Sequence, residues 1–92
     1  MKEPGFNSVW DALEDTPQEA ENMKIRSGLM MAISEHLEKS DGTQAAKAKK
    51  LGITQPRLND LLKGRINKFS LDALVSIAFN AGLKVSVHTE AA

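Results

Sequence analysis

The sequence predicts an all-α fold, a compact set of four to five short helices followed by a short C-terminal β-strand. Three observations predict it. Apolar residues recur at helical spacing through most of the chain. Each of the four clearest helical stretches opens on Ser or Thr and closes on Gly: Thr16 to Gly42, Thr43 to Gly52, Thr54 to Gly64 and Ser70 to Gly82. Only Lys84-Val85-Ser86-Val87-His88 alternates polar with apolar residues in the manner of a strand.

Residues 1–15 read as a loosely attached arm, in which Phe6, Val9, Trp10 and Leu13 fall at the spacing of a short amphipathic helix. Thr16-Pro17-Gln18-Glu19 then starts a helix well, because Thr caps, Pro suits the first position and Glu19 reaches back. Met23, Leu29, Met30, Ile33 and Leu37 carry this helix to about Lys39, with Ser27-Gly28 marking where a bend would fall. The cluster Met23, Met30 and Met31 is expected in the core. Thr43 caps a second helix, with Ala45, Ala46 and Leu51 inward and Lys47, Lys49 and Lys50 in water. Gly52 turns the chain, Ile53 plugs the turn, and Thr54 caps a third helix with Pro56 in its first turn. Leu58, Leu61 and Leu62 form the buried stripe of that helix. Ser70 caps a fourth helix whose Leu71, Leu74, Val75 and Ala78 make one apolar face, widened by Ile77, Phe79 and Leu83. These limits divide the chain into an arm (1–15), a helical domain (16–83) and a tail (84–92).

A single strand leaves its backbone N–H and C=O groups without a partner. Pairing with the same strand of a second copy about a two-fold axis answers this, and dimerisation is therefore expected of the tail. Packing along the protomer's own surface is the alternative.

Composition excludes several classes of function. Aromatic residues make up 4% of the chain, against a β-sandwich or a stacking platform for single-stranded nucleic acid. Without cysteine there is neither a disulfide framework nor a thiolate metal site, and His36 and His88 stand alone. Glu35 and Glu38 beside His36 read as a solvated face, and Asp11, Glu14 and Asp15 as solubilising charges. Ser27, Ser34 and Ser76 lack a neighbouring base motif, and no Gly-rich phosphate loop occurs. An enzyme is not expected, and no cofactor is implied. The N-terminus lacks the order of a signal peptide and no stretch is long and apolar enough for a bilayer, so the expected location is cytoplasmic.

The net charge of zero conceals a strong asymmetry. Residues 1–42 balance at −5, residues 43–68 at +6 and residues 69–92 at −1. The basic stretch contains Lys47, Lys49, Lys50, Arg57, Lys63, Arg65 and Lys68 against Asp60. Such a patch is either a phosphate-binding surface or an ordinary solvated helix face.

What distinguishes these two is the helix, tight glycine turn and helix from Thr43-Gln44-Ala45-Ala46-Lys47 to Leu51-Gly52-Ile53-Thr54-Gln55-Pro56-Arg57-Leu58. Two helices joined in this way can lay the start of the second in the major groove of duplex DNA. Thr43, Gln44, Ala46, Leu51, Gly52, Ile53, Gln55, Leu58, Leu61 and Gly64 make the stretch resemble the DNA-binding domain of the phage-repressor-like helix-turn-helix proteins of the XRE family. The resemblance runs over about residues 17–83. Gln-Pro-Arg-Leu, Leu-Leu-Lys-Gly and Phe-Ser-Leu-Asp, with the leading Ser8-Val9-Trp10-Asp11-Ala12-Leu13, look like a subgroup that includes HigA-like antitoxins. Family members often carry a polar residue where Pro56 stands, which leaves apolar contact there.

The resemblance implies a phosphate contact for Gln44, at a helix start that favours anions. Thr54 and Pro56 belong to the start of the reading helix. Gln55 suits adenine N6 and N7, and Arg57 suits guanine O6 and N7 or a phosphate. One of Asn59 and Asp60 should face DNA, with Asp60 accepting from cytosine N4 or orienting Arg57. Lys63, Arg65 and Lys68 suit the flanking backbone.

Two functions follow as expectations. One is a transcriptional regulator, such as a repressor, that binds double-stranded DNA sequence-specifically as a homodimer on a palindromic operator. The alternative is the antitoxin of a toxin–antitoxin system, neutralising a HigB/RelE-like toxin protein and autoregulating its operon. The apolar stripe of the arm separates them, because an exposed stripe suggests a partner whereas a Trp10 folded back onto the first helix does not. A small basic ribonuclease-like gene beside this one would favour the antitoxin.

Overall fold

The computed structural model describes residues 16–92. The arm at 1–15, with Phe6, Val9, Trp10 and Leu13, lies outside the described residues. Four α-helices follow one another: α1 (Pro17–Glu38), α2 (Gln44–Leu51), α3 (Gln55–Leu62) and α4 (Leu71–Asn80). A 3-10 turn, Ile66–Lys68, which the sequence reading did not anticipate, bridges α3 and α4.

Helix starts follow from local chemistry. The hydroxyls of Thr16, Thr43, Thr54 and Ser70 accept from the amides of Glu19, Ala46, Arg57 and Ala73 at 3.1, 3.1, 3.3 and 3.1 Å. Each bond satisfies one amide that has no partner within the helix. α1 runs unbroken through Ser27 and Gly28. α2 stops at Gly52, whose φ of 74° lies in the left-handed region that a side chain disfavours.

The core gathers one stripe from each helix: Met30, Ile33 and Leu37 of α1, Ala48 and Leu51 of α2, Leu58 and Leu61 of α3, and Leu74, Ile77 and Ala78 of α4. Phe69 and Ala81 complete it, with Leu29, Ile53, Ile66, Leu83 and Val85 packed at its edge. Burial of a large aliphatic or aromatic side chain contributes about 1.5–3 kcal/mol, so this shared centre is what holds the long α1 and the three short helices together.

Polar side chains close the helix ends. The Lys47 ammonium donates to the Leu37 carbonyl at the end of α1 (3.0 Å), so Lys47 does not simply stay in water as expected. Asn80 donates to the Leu51 carbonyl at the end of α2 (3.0 Å). Arg26 Nη1 donates to the carbonyls of Ile66 and Phe69, both at 3.1 Å, and so ties α1 to the connection between α3 and α4.

Several expected faces differ. In α2 the buried alanine is Ala48, while Ala45 and Ala46 are exposed. An eight-residue helix buries only one side, and the buried Leu51 places Ala48, one turn back, on that side. Leu62, Val75 and Phe79 are exposed, the last by 76%. Each sits beside a buried neighbour, Leu61, Leu74 or Ala78, and the narrow core stripe takes only one of the pair. Met23 and Met31 are likewise on the surface, and only Met30 reaches the core.

The C-terminal strand is not formed, since no residue from 16 to 92 is in a β-strand. A strand exists through the neighbour that pairs its N–H and C=O groups, and among the described residues Lys84–His88 has no such neighbour. Val85 instead packs against the edge of the core, and Val87 is 84% exposed.

Candidate nucleic-acid interface

α2 and α3 are joined by Gly52, Ile53 and Thr54 alone. Gly52 N–H donates to the Lys49 carbonyl (3.1 Å) and Ile53 N–H to the Ala48 carbonyl (3.0 Å), which closes the end of α2 and turns the chain at once. The half-buried Ile53 packs against the core edge. The result is a fixed pair of eight-residue helices, the second opening on Thr54.

Which side of α3 is presented follows from its buried residues. Leu58 and Leu61 face the core, so Gln55 and Asn59, four residues apart, share an outward stripe, with Pro56 and Lys63 also exposed. Proline has no amide to leave unsatisfied in the first turn, so Pro56 costs the helix little. Gln55 and Asn59 each carry a primary amide with both donor and acceptor.

The remaining polar residues of the site meet one another. Asp60 is paired with Arg65 at 2.9 Å, not with Arg57. Its side chain is 20% exposed and that of Arg65 52%, so the pair lies at the protein edge. Arg57 lies with its guanidinium carbon 4.4 Å from the centroid of the Phe69 ring, and its Nη1 donates to the Lys68 carbonyl at 3.0 Å. Lys68 is exposed in the 3-10 turn, and Lys63 is exposed at the end of α3. Gln44 stands apart, exposed in the first turn of α2. Lys49 and Lys50 are exposed in the last turn of that helix, where positive charge suits the helix dipole.

Sequence reasoning missed Phe69 and Arg26. Phe69 sits in an irregular connection where periodicity gives no signal, although a large aromatic beside the cap Ser70 was a local hint. The link made by Arg26 spans 40 residues or more and has no local signature.

Among the described residues no group of three or more His, Asp or Glu is placed to hold a metal ion, and no helix is long and apolar enough to cross a membrane. No curated protein matches the chain. A family model described as a helix-turn-helix domain (HTH_37) matches residues 12–90, which takes in all four α-helices and the tight turn at Gly52. The chain therefore belongs to that helix-turn-helix family, and this membership suggests DNA binding.

Proposed function

We propose that this protein is a sequence-specific, double-stranded DNA-binding transcriptional regulator that acts as a dimer on a palindromic operator. The observation that carries this is the outward stripe of Gln55 and Asn59 on a helix anchored by Leu58 and Leu61, flanked by the exposed cations Lys63 and Lys68. Amides on a helix surface match the donor–acceptor edges of the major groove, and cations beside them match the phosphates. Pro56 adds apolar contact, Thr54 fixes the helix start, and Gln44 and Arg65 contribute to the backbone contacts. The motifs that resemble the XRE family, and its HigA-like subgroup, agree with this assignment.

The dimer has its own support. Val75, Phe79, Leu83 and Val85 line a shallow apolar groove at the end of α4, bordered by Lys84, and Val87 lies exposed beyond it. On this reading the helical domain is residues 16–83, and 84–92 serves dimerisation. Selection from a pool of random duplexes tests the whole assignment. Enrichment of a two-fold symmetric sequence is expected, and a pool that stays random would overturn it.

A further inference from the structure

Arg57 has the side chain least open to DNA of the basic residues in α3 and the turn after it: Lys63, Arg65 and Lys68 are exposed, whereas Arg57 is half-buried. Its guanidinium lies over Phe69, which is buried and gives the stack a fixed floor. Arg57 Nη1 donates to the Lys68 carbonyl, and the Arg57 backbone N–H donates to the Thr54 hydroxyl at the start of α3. Arg26 donates to the Ile66 and Phe69 carbonyls of the same segment. Two arginines thus hold three carbonyls of the stretch that carries Lys68.

We propose that Arg57 is a positioning residue, holding the 66–69 segment, and with it the Lys68 ammonium, at a set place relative to the first turn of α3, and that it does not itself read a base. The inference rests on the DNA-binding assignment and deepens it. Specific binding needs Gln55 on a base edge and Lys68 on a phosphate at the same time, and Arg57 is the strut between them. To reach guanine O6 and N7 its fork would have to leave both the ring and the carbonyl. Lysine cannot replace it, because an ammonium lacks the planar fork that stacks and donates together.

A double-mutant cycle tests this. Wild type, Arg57→Ala, Arg57→Lys, Lys68→Ala and the double variants Arg57→Ala/Lys68→Ala and Arg57→Lys/Lys68→Ala are measured on the selected duplex and on a scrambled one, with melting curves alongside. Lys68→Ala keeps the backbone carbonyl and so leaves the strut in place. Arg57→Ala is expected to lose about tenfold in affinity on the selected duplex while keeping the wild-type base preference at every position. Lys68→Ala should then matter much less in the Arg57→Ala background than in wild type, and Arg57→Lys should behave as Arg57→Ala. Relaxed preference at one base position, additive losses, or full rescue by lysine would each overturn the strut. Should Arg57→Ala not fold, the cycle built on Arg57→Lys decides by the same criteria. A wild-type protein that binds no duplex overturns the DNA-binding assignment itself, whereas a duplex-binding wild type with additive losses overturns only the role of Arg57.

Discussion

The side-chain amide of Asn80, the last residue of α4, donates to the carbonyl of Leu51, the last residue of α2, at 3.0 Å. The bond joins two helix ends 29 residues apart and borders the glycine that starts the turn into α3. A Cβ on Gly52 would lie 3.4 Å from the nitrogen of that amide.

Two glycines should respond oppositely to alanine. Gly52→Ala should destabilise by about 1–2 kcal/mol, because alanine disfavours the positive φ. Gly28→Ala, in open space inside α1, should stabilise by about 0.5–1 kcal/mol. Thermal melts of the two variants check both signs, and a common direction would contradict the geometry.

Reading and holding separate on α3. Gln55→Ala should leave the melting temperature nearly unchanged and weaken specific binding by about 1–3 kcal/mol, relaxing preference at one or two base positions. Leu58→Ala opens a cavity under the helix and should cost about 2–5 kcal/mol of stability, with DNA binding falling as a consequence. Calorimetry paired with a selection assay tells the two apart. A folded Gln55→Ala protein with wild-type preference would remove α3 as the reader.

The lysines of the basic stretch should divide in the same way. Lys63→Ala should weaken specific and random duplex binding alike and lower the salt slope by about 1. Lys47→Ala removes the donor to the Leu37 carbonyl, so it should lower stability by about 1 kcal/mol and leave the slope unchanged. Binding titrated across salt concentrations distinguishes them, and duplex binding insensitive to salt would contradict the electrostatic assignment.

Self-association should depend on the tail and the end of α4. Deleting residues 84–92 is expected to give a monomer with weakened operator binding, because two half-sites are no longer engaged together. Phe79→Ser should shift the same equilibrium without loss of the fold, since this ring contributes little to the protomer core. Sedimentation reads both, and a tail-deleted dimer would confine the interface to α4.

Much of the fold was legible because it is locally encoded. Thr16, Thr43, Thr54 and Ser70 cap from within their own first turns, and Gly52 turns the chain out of α2 through its own left-handed conformation. What local pattern could not settle was which of two adjacent apolar residues the core would take, and Leu62, Val75 and Phe79 lie on the outer side of that choice. The outward placement of Gln55 followed from Leu58 and Leu61. The stack of Arg57 on Phe69 and the pairing of Asp60 with Arg65 did not, because each needs the path of the connection after α3. The strand over 84–88 was read from alternation, a pattern that states which residues share a side and not whether a neighbouring strand exists.

The reach of Arg26 bears on how portable the turn and its two flanking helices are. Two carbonyls beside α3 accept from a side chain that begins 40 or more residues earlier, the Ile66 carbonyl in addition to the Phe69 amide. A segment cut at Thr43 and grafted onto another scaffold would carry its own caps and its own glycine turn, yet lose the Arg26 guanidinium from the Ile66 and Phe69 carbonyls, leaving Ile66 with the Phe69 amide alone. Exchange of specificity between proteins of this architecture therefore belongs at the level of single side chains on α3, with the long first helix kept in place as part of the same unit.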